Sequence, residues 1–518
     1  MPDTAINHIR QAVAGTPGTG TITLGAAATS FRALAATVDG VALNGKTFSV
    51  ELKDGDNRSV ETGCLYNSTA GTLARGTVES STTGSRLSLS SAATVSVVAP
   101  ASQGNALRGL LRSNSQQGRI ALGGDSIAQQ NAYTSLSHSA AGPINWMLAR
   151  LGYPWYLPLN GNFAVNGTDT GVMVTNQLPA LLSQHSQTPF RKCFWSAGTN
   201  DTNSGTPINS IKNNLQILFE ACLDNGITPV WPGVLPRGND ASLTNAKRVN
   251  MALNEWGQWF AYTRGGLEFV NAGHAVANNA TAFGNALTQF MDAGVLHPTD
   301  QGAFWLGKAY ADYYSSRGIR PALSLATQQA DIADGTYNQH GVLFASPNPL
   351  LQGGTTAPSG MATAGGSWSK GSWALPNGQA RASAVCALAA NATHYLYDDL
   401  LASGAWSSAS VEIGMYVQAR ARVRLANVQA LRNINLRCVE NNGVDAVTAT
   451  CLAVSAATDI TPDQDLELYL LTPPIVIRPY GGSGNASLFA RVDLTTGAAG
   501  SGTFEVLGFE MRRWVGDL

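Results

Sequence analysis

The stretch Arg119–Gln130 reads RIALGGDSIAQQ, and it decides how the central part of the chain is interpreted. Its apolar run ends at two glycines, which are followed by Asp125 and Ser126. A buried strand that runs into a tight turn would show this pattern, because glycine permits such a bend. The turn would project Ser126 above the end of a strand. A hydroxyl placed there becomes a nucleophile only if a base and oxyanion donors lie close by.

Residues 119–320 alternate between strand-like and helix-like segments. Strand–helix alternation of this kind predicts an α/β fold with a parallel sheet and helices on both faces. The active sites of such folds lie at the carboxyl ends of the strands. The predicted strands are Arg119–Leu122, Trp155–Leu159, Lys192–Ser196, Thr228–Pro232 and Leu267–Asn271.

The flanking regions read as short strands separated by turn residues. We predict a small β-rich domain over residues 1–103 and a linker over 104–118. The α/β domain spans 119–320, and a β-sandwich of jelly-roll type spans 321–518. A repeat of fixed period is not visible along the chain.

Composition excludes several classes of protein. The chain has 518 residues, of which 13% are charged, and its formal net charge is −1, so general electrostatic binding to nucleic acid is not expected. No apolar run reaches membrane-spanning length, and the N-terminus shows no signal peptide. The six cysteines lack CxxC spacing, which disfavours a thiolate metal site and favours buried thiols, although Cys438 and Cys451 could pair in an oxidising setting.

Three further motifs follow predicted strands or begin a helix. FWSAGTNDTNSG places Gly198, Asn200 and Asp201 after an apolar run, and the Asn200 carboxamide could donate a hydrogen bond to an oxyanion. MDAGVLHPTDQGAFWLG places His297 just before Thr299, which can cap a helix. NFAVNGTDTG carries a glycine turn at residue 167. Taken singly, each motif is more often an ordinary turn or a structural histidine.

Together and in this order, the motifs resemble those of the SGNH (GDSL-type) hydrolases over residues 119–320. The resemblance implies a three-layer α/β/α, flavodoxin-like domain that hydrolyses esters through an acyl-enzyme, without a metal or an organic cofactor. It implies that Ser126 is the nucleophile and that His297 is the base. The backbone N–H of Ser126, Gly167 and Asn200 would form the oxyanion hole. Asp125, Gly198 and Asp201 would support the loops of the site.

The triad acid departs from the family pattern. The family places this acid three residues before the histidine, where the chain has Gly294. Asp292 is the nearest upstream acid, and a longer loop could bring it to the imidazole. Asp300 is a rival that fits better in the first turn of a helix. A serine–histidine dyad is the remaining alternative, and we select Asp292.

The flanks suggest a setting for this chemistry. The N-terminal module resembles small β modules at the start of phage tail-fibre proteins, and the C-terminal region resembles carbohydrate-binding jelly rolls. We therefore predict a trimeric virion tail protein that removes acetyl groups from bacterial surface polysaccharide and binds other tail proteins, but neither membrane nor nucleic acid. A receptor-binding protein with an inert hydrolase-like domain is the first alternative. A lipase or thioesterase is the second.

Overall fold

The computed structural model divides the chain into two compact units, residues 1–111 and 112–518. No helix among the described residues is long and apolar enough to cross a membrane. The described residues are 10–27, 34, 37–38, 41–42, 44–45, 47–97, 118–131, 136–238, 242, 244–278, 285–292, 296–323, 325, 350–375, 378–401, 412–453, 459–460, 465–482 and 486–514.

The first unit is a small antiparallel β structure. Its seven-stranded sheet has the order β5-β9-β1-β2-β7-β6-β8, and β5 also pairs with β6, so six of the strands form a closed ring. The ring encloses a core that includes Val50, Leu52 and Leu73. The strands of this unit are β1 Arg10–Ala14, β2 Ile22–Ala27, β3 Thr37–Val38, β4 Val41–Ala42, β5 Thr47–Asp54, β6 Asn57–Asn67, β7 Thr72–Leu73, β8 Thr77–Ser81 and β9 Thr94–Val97.

The second unit begins with a five-stranded parallel sheet of order β12-β10-β13-β14-β15. All five predicted strands are present, although β12, β14 and β15 are shorter than predicted. β12 ends before Pro158 and β14 ends before Pro232, because proline has no N–H to donate to a ladder. The strands are β10 Gly118–Gly124, β12 Trp155–Tyr156, β13 Phe190–Ser196, β14 Thr228–Trp231 and β15 Glu268–Phe269.

Helices cover both faces of this sheet, as the alternation of segments predicts. Successive strand residues point to opposite faces, so Ile120 and Leu122 enter one core while Ala121 enters the other. α2 and α8 cover the first face; α4, α6 and α7 cover the second. The helices are α1 Ser126–Gln129, α2 Pro143–Leu151, α3 Thr170–Val172, α4 Leu178–Gln187, α5 Thr199–Ser204, α6 Ile208–Asp224, α7 Asn245–Arg264 and α8 Asp300–Ser315.

The C-terminal region is β-rich, as predicted, and two long strands, β20 and β24, pair along most of their length. Its ten-stranded sheet also includes β11, which comes from the loop after α1. The jelly-roll description stays a prediction. The strands are β11 Ser137–Ser139, β16 Ala362–Ala364, β17 Ser367–Ala374, β18 Ala380–Ala387, β19 Thr393–Leu401, β20 Tyr416–Asn441, β21 Ala446–Ala453, β22 Asp465–Leu471, β23 Ile475–Val476 and β24 Ser487–Trp514.

The α/β region and the C-terminal sheet share one hydrophobic core. β11 pairs in parallel with β21, and the Tyr153 hydroxyl lies 3.3 Å from the Cys451 sulfur. The predicted boundary at 320/321 therefore lies inside one compact unit. All six cysteines are buried and free, so the optional pairing of Cys438 with Cys451 is absent.

Candidate active site

β10 delivers the predicted nucleophile to the carboxyl edge of the parallel sheet. Gly124 ends the strand with a φ of +132°, and a Cβ at this position would lie 2.1 Å from the Ser196 carbonyl oxygen. Glycine is therefore required at this position. Asp125 then caps α1 by accepting a hydrogen bond from the Ile127 N–H at 3.0 Å, and Ser126 is the first residue of the helix.

Ser126, His297 and Asp292 form a continuous chain of hydrogen bonds. The Ser126 Oγ lies 2.8 Å from the Nε2 of His297. The Nδ1 of the same ring lies 2.9 Å from the Oδ2 of Asp292. A base in this position can take the hydroxyl proton, while the carboxylate fixes the tautomer and stabilises the imidazolium that forms.

The loop that carries Asp292 explains why an acid five residues before the histidine reaches the ring. Asp292 Oδ1 accepts hydrogen bonds from the N–H groups of Leu296 and His297, at 3.0 and 3.3 Å. Burial raises the pKa of Asp292, but these bonds and the bond to the imidazole outweigh it and hold the pKa below the ordinary value. Asp300 lies in the first turn of α8, and Gly294 lies outside the described residues.

His297 is placed by the start of α8. Thr299 is the N-cap of this helix, as predicted, and its hydroxyl accepts a hydrogen bond from the Gly302 N–H at 3.1 Å. The Thr299 N–H also donates to the Phe290 carbonyl at 3.0 Å, which ties the histidine loop to the segment before Asp292. The base is thus carried on a loop that is fixed at both ends.

Gly167 and Asn200 are the two further candidates for the oxyanion hole. Hydrogen bonds connect their surroundings to β10, the strand that precedes Ser126. The Val165 N–H donates to the Gly124 carbonyl at 3.1 Å, so the turn at Gly167, where φ is +75°, begins beside the strand end. Asn200 Nδ2 donates to the Thr168 carbonyl at 2.8 Å. That bond fixes the orientation of the amide and leaves its second N–H for an oxyanion.

Gln177 connects these parts, and sequence reasoning missed it. This buried residue ends a π-helical turn, Met173–Gln177. Its Oε1 accepts from the Gly124 N–H at 2.8 Å, and its Nε2 donates to the Gly124 carbonyl at 2.8 Å and to Thr168 Oγ1 at 3.1 Å. The side-chain amide of Gln177 therefore bonds both to Gly124, the residue before Asp125, and to Thr168, in the loop that carries Gly167. Turns of this kind are frequent at functional sites, but the local sequence gives no signal for it.

The predicted supporting residues lie around this network. Asp125 Oδ1 also accepts from the Ser196 hydroxyl at 3.0 Å, whereas Oδ2 is buried without a hydrogen-bond partner. Burial raises the pKa of Asp125 to about 6. Asp201 accepts from the N–H and the hydroxyl of Thr170, at 3.0 and 2.6 Å, and burial raises its pKa as well. Gly198 caps α5 with a φ of 107°.

Metal-binding chemistry has no candidate site in the described part of the chain. A group of three or more histidine, cysteine, aspartate or glutamate side chains that could hold an ion is not found there. The hydrogen-bond chain from Ser126 to Asp292 and the nearby amides can instead support attack by the serine on a carbonyl carbon.

Comparison with known proteins agrees with this geometry. Residues 122–303 match the model of the GDSL-like lipase/acylhydrolase family. No curated protein matches the chain. The solved structures that resemble it include a member of the lipolytic G-D-S-L family from Veillonella parvula, at 18% identity and a TM-score of 0.30, covering 38% of this chain and 98% of that one.

A second similar structure is a carbohydrate esterase of family 3 from Talaromyces cellulolyticus, at 16% identity and a TM-score of 0.28, covering 39% of this chain and 97% of that one. Because both TM-scores are below 0.5, the assignment rests on the family model and the site geometry. The α/β region of this chain contains a GDSL/SGNH hydrolase domain.

Proposed function

We propose that the chain is a serine esterase that removes acetyl groups from glycans. The observation that carries this proposal is the unbroken hydrogen-bond chain from the Ser126 hydroxyl through His297 to Asp292, at 2.8 and 2.9 Å. The family model supports hydrolysis of acyl groups in general. That the acyl group is an acetyl group, and that a glycan carries it, is the more specific part of the proposal.

The proposed reaction has two acyl-transfer steps. His297 takes the Ser126 proton as the oxygen attacks the ester carbonyl, and the oxyanion is held by backbone N–H groups and the Asn200 amide. The tetrahedral intermediate collapses, the bond to the sugar oxygen breaks, and His297 protonates the departing alcohol. Water, activated by the same imidazole, then attacks the acetyl-serine and releases acetate.

Glycan as the substrate is inferred from the flanking regions. Both flanks are β-rich and low in charge, and their sequences resemble tail-fibre modules and carbohydrate-binding jelly rolls. We propose that the chain acts in a virion tail, as a trimer, on acetylated polysaccharide at a bacterial surface, in contact with other tail proteins. Light scattering in solution tests the trimer, and acetate release from purified capsule or O-antigen, followed by NMR, tests the substrate.

One observation bears on the alternative that the chain is a lipase or thioesterase. A cavity of about 410 Å³, including its open mouth, is lined mainly by apolar side chains such as Leu122, Phe194 and Leu306. Ser126 and His297 are not among the residues that line it. We therefore propose a short acyl group. Hydrolysis of p-nitrophenyl esters should be fastest for acetate and fall with chain length; a maximum at long chains would favour the lipase.

The inert receptor-binding alternative loses its main support, because Asp292 is hydrogen-bonded to His297 despite its unusual position. The discriminating experiment compares the wild-type protein with Ser126→Ala on p-nitrophenyl acetate. Esterase function predicts that the variant falls to the background rate. Equal rates for the two proteins would support the receptor-binding alternative.

A further inference from the structure

The loop after β14 lies at the same edge of the sheet as the nucleophile. Pro232 and Leu235 of this loop line the cavity described above together with Ile127, the neighbour of Ser126. The loop is held in place by Asn254, whose side chain bonds the N–H and the carbonyl of Val234 at 2.7 and 3.0 Å. The loop therefore lies at the carboxyl edge of the sheet, beside the apolar cavity that Ile127 also lines.

Arg237 lies on this loop, which is hydrogen-bonded to two segments that carry candidate site residues. Its Nη2 donates to Asn203 Oδ1 at 2.6 Å. Asn203 lies three residues after Asn200 in α5, which places both on the same face of that helix. The next residue after the arginine, Gly238, accepts a hydrogen bond from the Ala286 N–H at 3.1 Å, in the segment that leads to Asp292.

The guanidinium of Arg237 has a different charge environment from those of Arg422 and Arg478 in the part of the chain that the structure describes. Among the described residues, no carboxylate lies within salt-bridge distance of its guanidinium, and Nη1 is buried without a hydrogen-bond partner. Burial lowers the pKa of Arg237. The partly buried Arg422 and Arg478, by contrast, pair with Glu467 and Glu440 at 2.7 Å. A half-buried guanidinium without a counterion costs free energy, which a bound anion would recover.

We propose that Arg237 binds an anionic group of the substrate, so that the preferred esters are acetylated acidic glycans. This proposal rests on the esterase function proposed above. A guanidinium binds a carboxylate through two parallel N–H···O bonds, and a uronic acid would supply that carboxylate next to the ester. A phosphate on the sugar offers the same chemistry.

The test uses substrates that differ in one group: a methyl glucoside acetylated at one hydroxyl, the corresponding glucuronoside, and the corresponding glucoside phosphate. Acetate release is measured for the wild type, Arg237→Gln and Arg237→Lys. Arg264→Gln is the matched control, because Arg264 is an exposed arginine at the end of α7. We expect Arg237→Gln to lose roughly 10- to 100-fold in kcat/KM on acidic esters, the range for charge-assisted bonds, and little on the neutral one.

Arg237→Lys should recover part of the acidic activity, and Arg264→Gln should change neither. The acidic substrate that loses more in Arg237→Gln identifies the anion. Equal losses on neutral and acidic esters, or no loss on either, would overturn the proposal. In the wild type alone, the preference for acidic esters should weaken with added salt, and a salt-independent preference would also overturn it. If the wild type hydrolyses none of the three esters, the esterase function itself fails.

Discussion

Replacing Gln177 with alanine tests how the oxyanion site is held. The variant loses three hydrogen bonds, of 2.8, 2.8 and 3.1 Å. The Gly124 carbonyl keeps bonds from Val165 N–H at 3.1 Å and Thr168 Oγ1 at 3.0 Å, so the N–H of Gly124 is the group that loses its amide partner. An orphaned buried N–H costs about 1–3 kcal/mol of stability.

The catalytic cost follows from the backbone that Gln177 holds. Gly124 precedes Asp125 and the Ser126 N–H, and Thr168 follows Gly167 and anchors Asn200. A displacement of ~1 Å in such groups can cost on the order of 10²-fold in rate. We expect Gln177→Ala to lower kcat on p-nitrophenyl acetate by roughly 10- to 100-fold at nearly unchanged KM, because the oxyanion forms only in the transition state.

Gln177→Glu is the matched variant, since it keeps the size and the acceptor for the Gly124 N–H. Its carboxylate would face the Gly124 carbonyl, whereas the protonated acid can donate to it. Its kcat relative to wild type should therefore recover as pH falls. A double-mutant cycle with Asn200→Ala should show less than additive losses. A Gln177→Ala variant with wild-type kcat, or one that raises only KM, would refute the reasoning.

Three further predictions follow from the same site. Asp292→Asn should lower kcat by roughly 10²- to 10⁴-fold, because the His297 tautomer is no longer fixed; wild-type turnover would support a dyad instead. Asn200→Ala should lower kcat by ~10²–10³-fold, and a loss confined to KM would remove Asn200 from the oxyanion hole. Asp125 has its pKa raised from 3.8 to about 6, so its stabilising contribution is present at low pH and is lost as pH rises through about 6. Relative to Asp125→Asn, the wild type should lose about 2 kcal/mol of unfolding free energy between pH 4 and pH 7, measured by denaturant titration, and parallel pH profiles would contradict this.

Much of the central domain could be predicted from the sequence, because its signals are local. The strands are short apolar runs with glycine or proline at or near several of their ends. Ser126 lies two residues after β10, and Asn200 lies four residues after β13. His297 precedes a cap that Thr299 supplies. Asp292 was one of several candidates, since no spacing rule says how a loop of five residues folds back on the imidazole.

Other features depend on contacts that are distant in sequence. Gln177 lies 53 residues from Gly124 in the sequence. An amide side chain in a helical segment is expected to face solvent, and only the tertiary fold shows that this one is buried. The strand Ser137–Ser139 is short and polar, so it is stabilised by pairing with β21 rather than by its own pattern. That no carboxylate among the described residues pairs with Arg237 is likewise a property of the tertiary fold.

The most direct test of the central claim is to trap the acyl-enzyme. The protein is mixed with p-nitrophenyl acetate, quenched in acid during turnover and digested, and the peptides are analysed by mass spectrometry. We predict one acetyl group on the peptide that contains Ser126, and its absence in Ser126→Ala. Turnover without any acetyl-serine, or with the acetyl group on another residue, would contradict the assignment of Ser126 as the nucleophile.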